Sequence, residues 1–472
     1  MDHRMHALLR WIREVRARPR GQLTPPQLFA SSFVAVISLG TLGLRFLPGL
    51  YTGERLGWVD ALFTATSAVC VTGLIVVDTA TYFTVWGQAF LLVLIQLGGL
   101  GMITFTTLII LAVGRRLSLR QERISAMAAE VAPLVRFESL TRDIVLFTFG
   151  IEAIGGLILY ALWVPRFGWE GAVWPAVFQA ISAFCNAGFS TFSDSLIGFR
   201  GAPLVLLVMI VMIVLGGLGF LTLEELRLWH RARRAASSFR LSLHSQVALW
   251  ATLTLVLVGW AGFALFEWRF AFADLTMLDR LINALFASVT ARTAGFNTFS
   301  YQAATDSTNF LSIILMFIGG SPGSTAGGMK TTTLALLAVL AWSRFRGRDI
   351  VSAGHRSVPE ETVQRAVGLA ASVFAVVTLS IFIYTFTERT GGAYPSEQYS
   401  FFTYMFEAVS AFNTVGLSMG ATADLSTAGR LLTTLLMFVG RVGPLTFAAA
   451  LALAARRQKL AYHYAYEDVI VG

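Results

Sequence analysis

Eight long blocks of apolar residues dominate this 472-residue chain, and the polar residues lie mostly between them. Each block reaches the roughly 20 residues that a helix needs to cross the hydrocarbon core of a bilayer. Within a block the apolar residues follow one another without polar alternation, which argues against half-buried strands. The pattern predicts an all-α polytopic membrane protein with eight transmembrane spans, at 28–47, 86–113, 144–164, 204–223, 247–266, 310–342, 367–386 and 431–455.

A short segment between paired blocks recurs four times. Each copy begins with phenylalanine, follows a short apolar helical pattern and ends in a small, polar stretch with one glycine. A repeat at such spacing indicates one structural unit used four times. The four glycines are Gly73, Gly188, Gly295 and Gly416.

These segments divide the chain into four copies of span, re-entrant loop and span. The helical part of each segment has about ten residues, which suits a half-membrane helix rather than a span. Irregular backbone at membrane depth is tolerated only where it is buried in protein or lines water. We therefore predict four pore-loop repeats in pseudo-fourfold arrangement around one pore. Their ranges are 27–114, 142–228, 244–343 and 364–455, between an N-terminal segment, 1–26, and a C-terminal tail, 456–472.

The distribution of charge predicts how the spans are oriented in the membrane. Charged residues make up only 13% of the chain, the net charge is +9, and the arginines are concentrated before the first span and after every second one. The positive-inside rule then predicts that both termini are cytoplasmic and that the four loops face outward. Basic charge is thus explained by topology, and nucleic-acid binding is not needed to account for it.

The second span of each repeat contains a glycine-rich motif, which begins at Gly98, Gly216, Gly319 and Gly440. Glycine permits either close helix approach or a break in the helix. In the third repeat, 319–328 holds five glycines and one proline, so a straight helix is implausible there. The same stretch resembles a nucleotide P-loop, but Met329 precedes Lys330 and no strand–loop–helix context surrounds it.

Four glycine-ended loops in an apolar chain are typical of a cation filter. A permeating cation exchanges its water shell for backbone carbonyls, and small residues let four strands approach one axis. Asp78, Asp194, Asp306 and Asp424 follow the loop glycines; they either concentrate cations at the pore mouth or are ordinary solvated loop acids.

Three cations and two cysteines need separate interpretation. Arg441 lies in the last span, where a charge either marks a functional site or belongs to a side chain that reaches the cytoplasm. Lys330 lies nearer the inner face and either reaches the cytoplasm or takes part in gating. Arg292 adjoins the third filter strand, and we predict that it points away from the ion and pairs with Glu407 or Glu152.

Two cysteines form no disulfide framework, and both are expected to be small buried side chains.

These motifs resemble those of the membrane subunits of Ktr-type potassium transporters, in the Trk/Ktr/HKT superfamily. The resemblance covers essentially the whole chain, and a single span before the first loop fits the Ktr type. It rests on Val71-Thr-Gly-Leu, Cys185-Asn-Ala-Gly-Phe, Arg292-Thr-Ala-Gly-Phe-Asn, Asn413-Thr-Val-Gly-Leu-Ser and Gly319-Gly-Ser-Pro-Gly-Ser-Thr-Ala-Gly-Gly-Met-Lys-Thr-Thr.

The resemblance implies the site residues. Carbonyls of Val71, Thr72, Gly73, Asn186, Ala187, Gly188, Thr293, Ala294, Gly295, Thr414, Val415 and Gly416 are implied to bind potassium, with a deeper ring from Cys70, Cys185, Arg292 and Asn413. An intramembrane gating loop is implied at 319–330. Its residues are Gly319, Gly320, Ser321, Pro322, Gly323, Ser324, Thr325, Ala326, Gly327, Gly328 and Lys330, held by Arg441.

It also implies an environment and partners. The ion carried inward is expected to be K+, with Na+ as an activator and no organic cofactor in this chain. A cytosolic nucleotide-binding ring is expected to regulate a homodimer in the bacterial inner (cell) membrane. Channel-like conduction and coupled symport are both compatible with the sequence. A sodium-permeable or secondary cation transporter of the same fold is the alternative, and a membrane enzyme is disfavoured because the usual catalytic motifs are missing.

Overall fold

Helices supply nearly all the regular structure in the residues that the computed structural model describes, 25–101, 137–235, 239–348, 351–353, 356–388 and 400–444. The predictions for 1–24, 102–136, the end of the last span and the tail 456–472 lie outside these ranges. Within them, the all-α class is confirmed.

Four helices are long and apolar enough to cross a membrane. Each opens one of the predicted repeats, whose ranges we keep as labels. They carry large exposed apolar side chains, such as Leu39, Leu157 and Phe374, which is the pattern of helices that face lipid. They are α1 (Pro25–Phe46), α5 (Phe137–Gly171), α9 (Leu243–Glu267) and α13 (Glu360–Thr387).

A short helix follows each long one and packs against it. With 12 to 14 residues, each is about 20 Å long, roughly half the membrane span. The phenylalanine that opens each repeated segment is completely buried on these helices, at Phe63, Phe178, Phe286 and Phe406. The short helices are α2 (Trp58–Val69), α6 (Val173–Cys185), α10 (Met277–Thr290) and α14 (Phe401–Phe412).

In the second, third and fourth repeats, the helix after the loop is interrupted. The predicted second-repeat span 204–223 contains a bend of 103° at Gly219, where the backbone takes φ 85° and ψ 140°. Gly443 ends the last described helix with nearly the same angles, φ 88° and ψ 133°. In the third repeat, 318–330 separates two short helices. In chain order, after α3 (Thr79–Tyr82), these helices are α4 (Val85–Gly101), α7 (Pro203–Leu218), α8 (Phe220–Arg234), α11 (Asp306–Phe317), α12 (Thr331–Phe345) and α15 (Thr427–Val442).

Contacts between repeats run once around the molecule. The helix after each loop packs against the short helix of the next repeat, α7 on α10, α11 on α14 and α15 on α2. Between the first and second repeats, Trp174 Nε1 donates to Gln88 Oε1 at 2.6 Å and joins α6 to α4. The first repeat therefore adjoins the fourth as well as the second, and the short helices surround a common centre.

The remaining regular elements are short. Two 3-10 turns, Ile197–Phe199 and Thr422–Asp424, lie in the segments after the second and fourth loops. An antiparallel hairpin of β1 (Ser352–Ala353) and β2 (Arg356–Ser357) joins α12 to α13.

Candidate functional site

The four loop glycines lie at one centre. A Cβ built on Gly73 would be 2.9 Å from Gly188 Cα, and one on Gly188 would be 3.0 Å from Gly295 Cα. One on Gly295 would be 3.2 Å from Gly416 Cα, and one on Gly416 would be 3.1 Å from Gly73 Cα, which closes the ring. Real Cβ atoms rarely approach this closely, and all four glycines have φ between 70° and 93°. Both the space and the backbone therefore require glycine here.

A second feature accompanies each glycine and was not expected from the sequence. The residue two positions earlier has a left-handed backbone, although none of the four is glycine. For β-branched residues this conformation is an outlier, and such strain concentrates at functional sites. The residues are Val71 (φ 55°), Asn186 (φ 58°), Thr293 (φ 72°) and Thr414 (φ 50°).

This backbone changes the direction of the carbonyl groups. The residue between each left-handed residue and its glycine does not share the positive φ, so φ changes sign twice over three residues. In an ordinary strand successive carbonyls point to opposite sides, and alternating the sign of φ turns them to the same side. Four such strands can present rings of carbonyl oxygens to a common axis.

A hydroxyl group on each short helix fixes the strand that follows it. In three repeats this hydroxyl donates to the carbonyl of the residue just after the loop glycine. In the fourth, Ser410 Oγ accepts a hydrogen bond from Gly416 N at 3.1 Å. Ser and Thr at this register were a usable signal that the sequence reasoning overlooked. The three donating pairs are Ser67–Leu74 (2.7 Å), Ser182–Phe189 (2.7 Å) and Thr290–Phe296 (2.6 Å).

Above the glycines lies a cavity of about 350 Å³ that is open to solvent. All four loop glycines line it, together with Asp78 and Asp194. Its described lining does not include Asp306, at the start of α11, or Asp424, in a 3-10 turn. Only two of the four predicted acids thus lie at this mouth.

Below the glycines, the loop 318–330 docks on the broken end of α7. Ser321 N donates to Gly217 O at 2.9 Å, and Thr325 N donates to Gly216 O at 3.2 Å. In return, Phe220 N, the first amide after the bend, donates to Gly323 O at 3.1 Å. The break at Gly219 therefore frees backbone groups that the loop satisfies, as buried backbone requires.

The loop is also closed on itself. Gly319 N donates to Met329 O at 2.9 Å, and Thr331 N donates to Gly320 O at 3.1 Å, so its two ends lie side by side. Lys330 Nζ donates to Ala326 O at 2.6 Å. The lysine thus binds a carbonyl of its own loop.

The tip of the loop lies directly under the four glycine strands. A Cβ on Gly328 would be 2.6 Å from Asn413 Oδ1, and one on Gly327 would be 3.1 Å from Asn413 O. Thr325 Oγ1 lies 3.3 Å from Phe184 O, at the end of the second short helix. The loop therefore contacts the second and fourth repeats immediately below their glycine strands.

Arg441 joins the loop to two other repeats. Its side chain is only 1% exposed, and it donates to the carbonyls of Thr325 and, at 3.2 Å, Gly98. Thr325 belongs to the third repeat, Gly98 to the first and Arg441 to the fourth. One guanidinium thus bridges three repeats at the level of the loop.

The predicted pairing of Arg292 is wrong. Arg292 is buried, and its Nη2 donates to Gly319 O at 3.4 Å. Glu152 instead accepts from Gln96 Nε2 at 3.1 Å, and Glu407 accepts from neutral groups of its own repeat. Arg292 therefore contacts the loop 318–330 rather than either of the two predicted carboxylates.

Both cysteines are buried and free. Cys185 Sγ lies 3.5 Å from Gln96 Oε1 and 3.8 Å from Glu152 Oε1, and connects the second filter strand to a polar cluster behind it. Among the described residues, no group of three or more His, Cys, Asp or Glu side chains could hold a metal ion.

Comparison with known proteins identifies this arrangement. The TrkH family, described as cation transport protein, matches residues 5–460. The chain belongs to the TrkH family of cation transporters. TrkH proteins form a transporter family rather than an enzyme family, and the apolar helices agree with a membrane location.

TrkH-family relatives match over nearly their full length. The Ktr system potassium uptake protein B of Bacillus subtilis is 36% identical, covering 94% of this chain and 95% of that protein. The potassium/sodium uptake protein NtpJ of Enterococcus hirae is 34% identical over 97% of this chain and 99% of its own length. The Ktr system potassium uptake protein B of Vibrio alginolyticus is 37% identical, with 95% of each covered.

A solved structure supports the TrkH fold. The crystal structure of the potassium transporter TrkH from Vibrio parahaemolyticus aligns with a TM-score of 0.72. The alignment covers 93% of this chain and 88% of that one at 18% identity, so it supports the fold alone.

Proposed function

We propose that this protein carries K+ into the cell through a pathway enclosed by the four glycine strands. The observation that carries this proposal is the closed ring of Gly73, Gly188, Gly295 and Gly416. A ring of four strands with carbonyls turned to one side offers a dehydrated cation the oxygen ligands it needs. The inward direction follows from the membrane potential.

Within this proposal, the ion ligands are the carbonyls of the left-handed residue, the glycine and the residue between them. Gly327 and Gly328 press against the base of the fourth strand, which makes 319–330 an obstruction below the ligands. Arg441 keeps that obstruction in position through the Thr325 carbonyl and adds a positive charge that opposes cations.

The names of the relatives favour potassium as the transported cation. Those from Bacillus subtilis and Vibrio alginolyticus carry the name potassium uptake protein. The Enterococcus hirae relative is a potassium/sodium uptake protein, which favours sodium permeation, or activation by sodium, as the second candidate. Because the four strands differ in sequence, strict selectivity does not follow from the filter alone.

The assembly belongs to the same proposal. Arginine placement supports cytoplasmic termini in a bacterial cell membrane. The resemblance to Ktr subunits supports a homodimer under the control of a cytosolic nucleotide-binding ring.

The decisive experiment measures rubidium uptake in a bacterium that lacks its own potassium uptake systems, with and without a Ktr-type cytosolic partner. Robust uptake that Gly295→Ser abolishes would support the filter. Gly201→Ser is the matched control, because a Cβ at Gly201 meets nothing within 4 Å. Uptake of a different solute, with no rubidium uptake under any condition, would contradict the proposal.

Sodium is tested in the same cells. Addition of sodium either stimulates rubidium uptake, as an activator does, or competes with it, as a second permeant ion does. Competition at equal concentrations would replace the potassium proposal with the sodium-permeable alternative.

A further inference from the structure

A buried carboxylate lies behind the fourth filter strand. Glu407 follows Phe406 on α14 and is 1% exposed. Its Oε1 accepts from Ser418 Oγ at 2.6 Å and from Met419 N at 2.9 Å, and its Oε2 accepts from Thr422 Oγ1 at 2.5 Å. Several donors converge on its two oxygens; these hydrogen bonds favour an ionised carboxylate, while its burial opposes the charge.

The second repeat contains the neutral counterpart of this arrangement. Gln179 follows Phe178 on α6, and its Nε2 donates to Ser190 Oγ at 2.6 Å. Ser190 and Ser418 both lie two residues after their loop glycines. The second and fourth strands face each other across the ring, so two opposite strands are held in the same way, and only one holder is acidic. The other two repeats have Thr64 and Ala287 at this position.

The charge of Glu407 has no basic partner among the residues that the structure describes. All its hydrogen-bond partners are neutral hydroxyl or amide groups of its own repeat. A buried carboxylate is normally paired with a cation, because its loss of hydration is otherwise uncompensated.

The cavity above the glycines offers a place for a cation next to the partners of Glu407. Ser418, Met419 and Thr422, which bind Glu407, all line that cavity. The carboxylate is therefore one residue layer away from the space that an ion must cross to reach Gly416. Because this cavity is open to solvent, the carboxylate attracts a cation there with a strength that added salt reduces.

We propose that the transported cation, held in the cavity above Gly416, is the countercharge of Glu407, which thereby sets the affinity of the filter entrance. This inference rests on the proposed function. It makes Glu407 a positioning and affinity-determining residue that touches the ion only through Ser418 and Thr422.

Glu407→Gln is the first test, because it removes the charge and keeps the shape and an acceptor oxygen for Met419 N. We expect the half-saturating rubidium concentration to rise roughly five- to tenfold at low ionic strength, a larger change than that in the maximal rate. The difference should shrink when choline chloride is added, since salt screens the interaction. A merely structural role would lower the maximal rate and would not respond to salt in this way.

The chain offers a charge transplant as the matched control. Gln179 Oε1 is buried without a partner, and Ser190 Oγ can donate to a carboxylate as well as accept from an amide. Gln179→Glu in the Glu407→Gln background restores one negative charge across the same cavity. We expect the double variant to recover most of the lost affinity, and Gln179→Glu alone to lower the half-saturating concentration.

Three results would overturn the inference. One is an unchanged half-saturating concentration in Glu407→Gln. Another is a loss of maximal rate alone, and the third is no recovery in the double variant. If a variant fails to accumulate in cells, the rubidium-dependent rise in the unfolding temperature of the purified protein gives the same comparison, and Glu407→Asp supplies the charged reference. Wild-type uptake that depends on Gly295 but not on Glu407 would sink this inference and leave the proposed function standing.

Discussion

Arg441 donates a hydrogen bond to the backbone carbonyl of Thr325, 116 positions earlier in the chain. Thr325 also bonds α7 through its amide and lies against the end of α6 through its hydroxyl. This single residue therefore connects three repeats, and its position depends on all of them. Disturbing any of these contacts should change the same property, the proposed obstruction below the glycine strands.

Replacement of Arg441 by glutamine should raise rubidium uptake in the absence of the cytosolic partner. Glutamine is too short to reach both Thr325 O and Gly98 O, so the loop loses its fixed position and the pathway loses a positive charge. Loss of charge-assisted hydrogen bonds should also lower the stability by about 1.5–3 kcal/mol. Arg430→Gln, on the same helix but paired with Asp60, is the control and should leave partner-independent uptake unchanged.

Gly219→Ala should displace the loop from its seat. A Cβ on Gly219 would lie 2.5 Å from Pro322 O, and its φ of 85° is unfavourable for any other residue by about 1–2 kcal/mol. We expect faster uptake without the partner and a lower unfolding temperature. Gly217→Ala provides the comparison, because its Cβ would meet only Asn186 at 3.6 Å. Equal behaviour of the two variants would contradict the docking of the loop on the bend.

Gly416→Ser should weaken discrimination between potassium and sodium. The added Cβ would lie 3.1 Å from Gly73 Cα and closer still to Thr72 O, so the first and fourth strands must separate. Gly420→Ser separates this effect from backbone strain. Gly420 has the same φ of 93°, but the nearest atom to its Cβ would be Gln302 Oε1 at 3.4 Å. Competition of sodium with rubidium uptake measures both, and identical competition curves would refute the assignment of Gly416 to the filter.

Ser67→Ala should loosen the first strand without changing its sequence. Ser67 Oγ donates to Leu74 O at 2.7 Å and accepts from Gly73 N at 3.1 Å, so the variant leaves buried backbone groups unpaired. The expected cost is about 1–3 kcal/mol in the free energy of unfolding, together with reduced selectivity. Ser372→Ala, which removes a hydroxyl bonded to Gly368 O on the exposed face of α13, should have no comparable effect.

The sequence predicted the positions of the four loop glycines that meet at one centre, because repetition identifies them independently of their contacts. It also located the interruption of the third repeat, since proline and five glycines within ten residues exclude a helix. The bend at Gly219 was harder to predict. A single glycine in an apolar run is compatible with a continuous helix, and the bend depends on hydrogen-bond donors and an acceptor in the loop 318–330.

Two features of the site were beyond sequence reasoning. Val71 and Thr293 adopt left-handed backbone against the preference of β-branched residues, so local propensity predicts the opposite conformation. The predicted partner of Arg292 was wrong because opposite charges in the sequence do not show whether two residues lie close together in the fold. Glu407 lies in a different repeat and already has donors for its two oxygens.

The bend at Gly219 turns α8 through 103° from the direction of α7, so the arginine-rich end of α8 points away from the axis of α7. The other end of α8 begins at Phe220, whose amide donates a hydrogen bond to Gly323 O. Rotation of a rigid helix moves both of its ends together. A force applied to the basic residues near Arg231 and Arg234 would therefore move Phe220, the first residue after the bend. Through the hydrogen bond from Phe220 N, it would also move Gly323, without a change of shape in the rest of the molecule.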